Sequence, residues 1–163
     1  MLQQSIEKIL SKNPEITTLE IAKELQKSEY EVLQNMPKDQ AIAVDGAKFD
    51  DIIADISTWG KILMIKITPS FVIEINDFIP TGTYGHGYYN FDSKESSISG
   101  HLKVSDIDKI IFISKKHRGM LSHSVVFYDK DGEHIFKIFV TRDKNKELLS
   151  SQVEKFMSLK NRF

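Results

Sequence analysis

The sequence predicts an α+β protein: a large antiparallel β-sheet, preceded by a three-helix lobe of helix-turn-helix type and closed by a C-terminal helix. Three observations carry this. Apolar residues recur with helical spacing through the first 36 positions, the period changes to two from Lys61 to Val140, and helical spacing returns after Lys146. Strands follow strands without alternating helices, so the sheet should be antiparallel rather than assembled from βαβ units. We divide the chain into a helical lobe, 1–36, and a sheet domain, 37–163.

Each element has its own signal. Leu2, Ile6, Ile9 and Leu10 form the first helical stripe, which ends before Pro14. Thr17 and Glu20 have capping-box spacing ahead of Leu19, Ile21, Ala22 and Leu25, and Ser28 and Glu31 repeat that spacing ahead of Val32 and Leu33. After a connector with a short strand at Ala41–Val44, Phe49, Ile52, Ile53 and Ile56 predict a helix over 49–58 that stops at Trp59-Gly60. Lys61–Thr68 and Phe71–Phe78 read as a hairpin about Pro69-Ser70. Further strands are expected at 87–91, 100–104, 109–114, 122–128 and 134–140, the last two joined by the turn Asp129-Lys130-Asp131-Gly132. A terminal helix presents Leu149, Val153, Phe156 and Met157 on one face.

At 163 residues the chain is about one domain long and can hold a core without metal or disulfide staples. It has no cysteine, which excludes disulfides, thiolate metal sites and a thiol nucleophile. Twenty-two Lys and Arg against 23 Asp and Glu leave a net charge of −1, without the basic excess of a nucleic-acid binder. The third helix, Ser28–Asn35, has two acids and no base, so reading of DNA is not expected. Met1–Lys12 is amphipathic and charged, unlike a signal peptide, and no apolar run is long enough for a membrane span; a soluble, cytoplasmic protein without membrane insertion is expected.

The five histidines, His86, His101, His117, His123 and His134, show no compact metal-ligand spacing. His123 and His134 are placed at strand ends flanking the Asp-Gly hairpin, at the surface or in cross-strand pairs. The segment Gly82-Thr83-Tyr84-Gly85-His86-Gly87-Tyr88-Tyr89-Asn90 combines three glycines with three tyrosines and a histidine. Its glycine order is reversed from that of a dinucleotide loop, and it reads as a glycine turn feeding an aromatic strand. Glycines also admit a flat ligand, and Tyr or His can coordinate ferric iron. No hydrolase elbow or Walker motif is present.

Taken in order, Ser57-Thr58-Trp59-Gly60, Gly85-His86-Gly87-Tyr88-Tyr89-Asn90, Gly100-His101-Leu102, Ser122-His123-Ser124-Val125 and Phe136–Asp143 resemble the HutX/ChuX family of intracellular haem-utilisation carriers. The resemblance spans most of the chain. It implies a cytoplasmic homodimer, each subunit similar to half of a ChuS/HemS-type haem protein, that takes ferric haem b as cargo from an importer and passes it to a haem-degrading acceptor. It also implies that the axial iron ligand is His101, Tyr88 or Tyr89, with His86 and His117 as further candidates in the haem site. Ile67 stands where many relatives have a second histidine, which implies five-coordinate iron. Lys115-Lys116-His117-Arg118 offers cations that could face haem propionates. Two alternatives remain at this level: a haem-degrading enzyme, and a DNA-binding regulator using the N-terminal helices.

A surface for such a plate is expected from Phe71, Ile73 and Ile75, alternating along one strand, with Tyr88, Tyr89 and Phe91 beyond. Tyr88 and Tyr89 alternate across their strand, so one of them at most faces the ligand, and His86 shares the face of Tyr88 if the strand begins that early.

Overall fold

The computed structural model covers residues 1–163. Three short helices, α1 (Leu2–Lys12), α2 (Thr18–Leu25) and α3 (Glu29–Leu33), precede strand β1 (Ala41–Asp45) and helix α4 (Phe49–Ile56). Eight strands follow: β2 (Lys61–Thr68), β3 (Phe71–Phe78), β4 (Gly82–Gly85), β5 (Tyr88–Phe91), β6 (Gly100–Leu102), β7 (Ile107–His117), β8 (Met120–Asp129) and β9 (His134–Phe139). Helix α5 (Ser150–Lys160) closes the chain. Both predicted capping boxes form: the hydroxyls of Thr17 and Ser28 accept from the backbone N–H groups of Glu20 and Glu31, whose carboxylates accept in return.

The strands make two antiparallel sheets rather than one. Six run in the order β1-β7-β8-β9-β2-β3, and three form a separate small sheet, β4-β5-β6. Strand β4 lies where a glycine turn was expected. It is a strand because Tyr89 of β5 folds over it: a Cβ at Gly82 would sit 2.5 Å from the Tyr89 ring, and the Gly82 N–H donates to the Tyr89 hydroxyl at 2.7 Å. Glycine here permits a close approach that any side chain would block.

The large sheet separates two apolar cores. On one face, Ile62, Ile110, Phe112, Val125, Phe127 and Ile138 pack with Phe49, Ile52, Ile53 and Ile56 of α4, Phe156 and Leu159 of α5, and Tyr89, Phe91 and Leu102 of the small sheet. On the other, Ile111, Val126 and Tyr128 receive Ile6, Ile21, Val32 and Leu33 of the helical lobe. The lobe is therefore docked on the sheet by its apolar stripes, and buried polar links reinforce it: the Lys115 ammonium donates to the Pro14 carbonyl at 2.7 Å and the Tyr30 hydroxyl to Asp108.

Helix α5 turns Val153 and Phe156 inward as expected but is rotated so that Met157 leaves the core. Gln152, Phe156, Leu159 and Lys160 are buried, whereas Met157 is exposed. The reason is polar. The Gln152 amide donates to the carbonyls of Trp59 and Lys61 and accepts from the backbone N–H and hydroxyl of Thr141, which fixes the rotation of the helix.

Candidate functional site

The small sheet and the outer half of the large sheet leave an apolar cleft of about 340 Å³ between them. Met64 of β2, Ile73 and Ile75 of β3 and Phe136 of β9 line one side; Phe91, Ile98 and Leu102 line the other. Pairing sets this geometry. Met64 lies opposite Ile75 and Lys66 opposite Ile73, so alternate residues of the β2–β3 hairpin point into the cleft. Of the apolar surface expected from sequence, Ile73, Ile75 and Phe91 take part, while Phe71 is 62% exposed and outside the lining.

His101 lies at the rim. It sits on β6 opposite Asn90 of β5, so its side chain stands on the face of the small sheet away from Phe91 and Leu102, and its Nδ1 is 2.6 Å from the Asn90 side-chain oxygen. The Asn90 amide nitrogen faces three carbonyls, of Thr83 at 3.1 Å, Gly85 at 3.2 Å and Tyr88 at 3.4 Å. That network assigns the amide orientation: nitrogen toward the carbonyls, oxygen toward the imidazole. His101 Nδ1–H is therefore the donor, which in the neutral ring leaves the lone pair on Nε2, the form in which histidine binds a metal. Asn90 was part of the motif read from sequence, but nothing in its spacing assigned it this role.

Tyr88 stands beside the imidazole. Its ring meets that of His101 edge-on, centroids 6.0 Å apart; it is 42% exposed and, unlike His101, outside the cleft lining. Tyr89 is not among the residues that line the cleft. Alternation turns it into the core, where it packs edge-on against Phe49 at 5.1 Å, with its hydroxyl taken by Gly82. Tyr84 is also set aside: burial and its hydrogen bond to Asp50 push its phenol up to about 12, which keeps it protonated.

The remaining histidines are elsewhere. His86 does not share the face of Tyr88; it occupies the turn between β4 and β5 in a left-handed conformation, φ +54°, exposed and outside the cleft lining. His117 ends β7 on the side of the helical lobe, near Glu20 of α2, and Lys115, two residues before it, is buried against Pro14. This basic segment is thus not brought to the cleft. His123 is not at a surface strand end but buried in β8, 5.0 Å from the Phe156 ring; it does make the expected cross-strand pair, with Ser114 of β7 on its Nδ1 at 2.8 Å. Burial, reinforced by Lys160 and Arg142, holds its pKa below the usual imidazole value. His134 begins β9; its Nε2 accepts from the Ile67 backbone N–H at 3.3 Å, and burial with Lys66 and Lys137 nearby lowers its pKa too.

The arrangement can hold a flat apolar molecule between two sheets, with an imidazole at the rim on the outer face of the small sheet.

Residues 42–159 match the family described as haem utilisation ChuX/HutX. The intracellular heme transport protein HutX of Vibrio cholerae is 29% identical over 158 residues, covering 97% of this chain and 82% of that protein. A crystal structure of a protein from Erwinia carotovora matches with a TM-score of 0.87 at 35% identity, over 99% of this chain and 98% of that one. The heme-binding protein ChuX matches with a TM-score of 0.86 at 30% identity, over 99% and 98%. The heme-degrading enzyme ChuS of Escherichia coli shares the fold, with a TM-score of 0.71 at 13% identity over 86% of this chain and 42% of its own.

Proposed function

The chain belongs to the ChuX/HutX haem-utilisation family, and from that premise we propose that it is a haem carrier that binds ferric haem b at the cleft between its two sheets and hands it on intact. The observation that carries the reading is the pairing of an apolar cleft with a rim histidine whose Nδ1 proton is engaged by Asn90 and whose Nε2 is available. The porphyrin supplies four nitrogens to the iron, so the protein need add only one axial donor. His101 is the first candidate and Tyr88, its neighbour, the second. One axial bond in an open cleft allows release, which a carrier requires.

The setting of this reading is the cytoplasm, with a second copy of the chain as partner, an importer upstream and a haem-degrading protein downstream. The sheet domain, 37–163, carries the haem, and the helical lobe, 1–36, supports the opposite face of the sheet. No helix is long and apolar enough to cross a membrane. Regulation through DNA is disfavoured by α3, whose Glu29 accepts from Thr18 and whose Glu31 caps its own N-terminus.

Transfer tests the proposal. Haem-loaded protein mixed with excess apomyoglobin should yield holomyoglobin with its absorbance accounted for in full. Retention of the haem, or its disappearance without appearance in the acceptor, would contradict a carrier.

A further inference from the structure

The cleft carries a second polar feature that axial ligation does not use. Lys66 is the only Lys or Arg among the residues that line it, and no carboxylate lines it at all. The register accounts for this. Lys66 points inward opposite Ile73, whereas Glu74 and Lys137, both paired with Ile65, belong to the other face of the sheet. The Lys66 ammonium makes one bond, donating at 2.7 Å to the His134 carbonyl at the start of β9, and forms no salt bridge. An ammonium has three donors. Two are thus free in a half-buried place with no opposing charge.

The geometry points to Lys66 as the residue that holds a carboxylate of the bound tetrapyrrole. This rests on the carrier reading and adds the group that orients the ligand. Its four-carbon stem extends the apolar wall made by Met64 and Ile73, while its head stays at the polar end of β2. A carboxylate arriving there makes a charge-assisted hydrogen bond, about twice as strong as one to a neutral carbonyl, and can displace the His134 oxygen or share the ammonium with it. Lys66 stands on the large sheet across the cleft from Phe91 and Leu102, so a plate lying between the two sheets is held there at one edge. The cleft then selects a flat apolar molecule with an anionic edge over an equally flat neutral one.

The experiment compares haem with its dimethyl ester, which keeps the macrocycle and iron but has no carboxylate. Both are titrated by their Soret bands into the wild type, Lys66→Met and Lys66→Arg. The wild type should bind haem more tightly than the ester by roughly tenfold to a hundredfold, the range for a hydrogen bond to a charged group. Lys66→Met should abolish that preference, and Lys66→Arg should restore most of it. In the wild type, added salt should weaken binding of haem more than binding of the ester. Equal preference in wild type and Lys66→Met, or equal salt dependence for the two ligands, would overturn the assignment while leaving the carrier reading in place. Failure of the wild type to bind either ligand would overturn the carrier reading and this inference with it.

Discussion

At the scale of single residues, the site depends on which nitrogen of one histidine is free. Asn90 holds the His101 Nδ1–H at 2.6 Å, so its substitution should act on the iron through the imidazole. His101→Ala should shift the Soret and charge-transfer bands of the ferric complex. Asn90→Leu should shift them less and broaden them, because the imidazole loses its fixed orientation. Tyr89→Phe removes a buried hydroxyl that only Gly82 contacts and should cost about 1 kcal/mol of stability in a denaturant titration with no spectral change. If Tyr89→Phe changes the spectrum and His101→Ala does not, the ligand lies on the other face of β5. Two histidines also set a pH dependence. His123 and His134 have folded-state pKa values depressed chiefly by burial, so the unfolded chain takes up their protons first. Stability should therefore be highest above the unfolded value of about 6.5 and fall as pH drops through it toward the lower folded values. Melting curves between about pH 7.5 and pH 5 should show this loss, and His123→Gln should reduce it. A flat profile in the wild type would contradict the burial of these rings.

Secondary structure was legible wherever local pattern and tertiary pairing agree. The hairpin β2–β3 falls on the residues that its alternation and Pro69-Ser70 define, and both capping boxes fall where Thr17 and Ser28 place them. Strand β4 was illegible because two of its four residues are glycine, and it exists through pairing with β5 rather than through propensity. His123 was misplaced because β8 runs ten residues, from Met120 to Asp129, so the histidine is well inside the ladder and far from the Asp-Gly turn. The rotation of α5 departs from its apolar pattern for a related reason: the spacing favours Met157, but the buried glutamine decides. Substituting Gln152→Leu would strand the Trp59 carbonyl and the Thr141 N–H and leave the Lys61 carbonyl only the Thr141 hydroxyl, and should destabilise by about 2–4 kcal/mol. Met157→Ala should cost much less. Chemical denaturation of the two variants checks this, and equal losses would show that the helix is held by its apolar residues alone.

For the whole molecule, the helical lobe covers only part of one face of the large sheet. Beyond it, Ile67 and Val72, paired across β2 and β3, are 40% and 50% exposed on that face, and β3 is an edge strand, open on its outer side. Apolar residues beside an open edge are a surface for a second copy. The chain should sediment as a homodimer at micromolar concentration, and Val72→Lys should shift it toward monomer; a wild-type monomer would remove this element of the account. The fold is shared with a heme-degrading enzyme, so architecture alone does not separate transport from turnover. The most direct measurement adds one equivalent of ferric haem to the purified protein and follows the spectrum in air after ascorbate is supplied. A stable Soret band, altered by His101→Ala and retaining its haem in the presence of ascorbate, is the predicted result. Loss of the band with stoichiometric formation of biliverdin, or no binding at all, would contradict the claim that this protein carries haem intact.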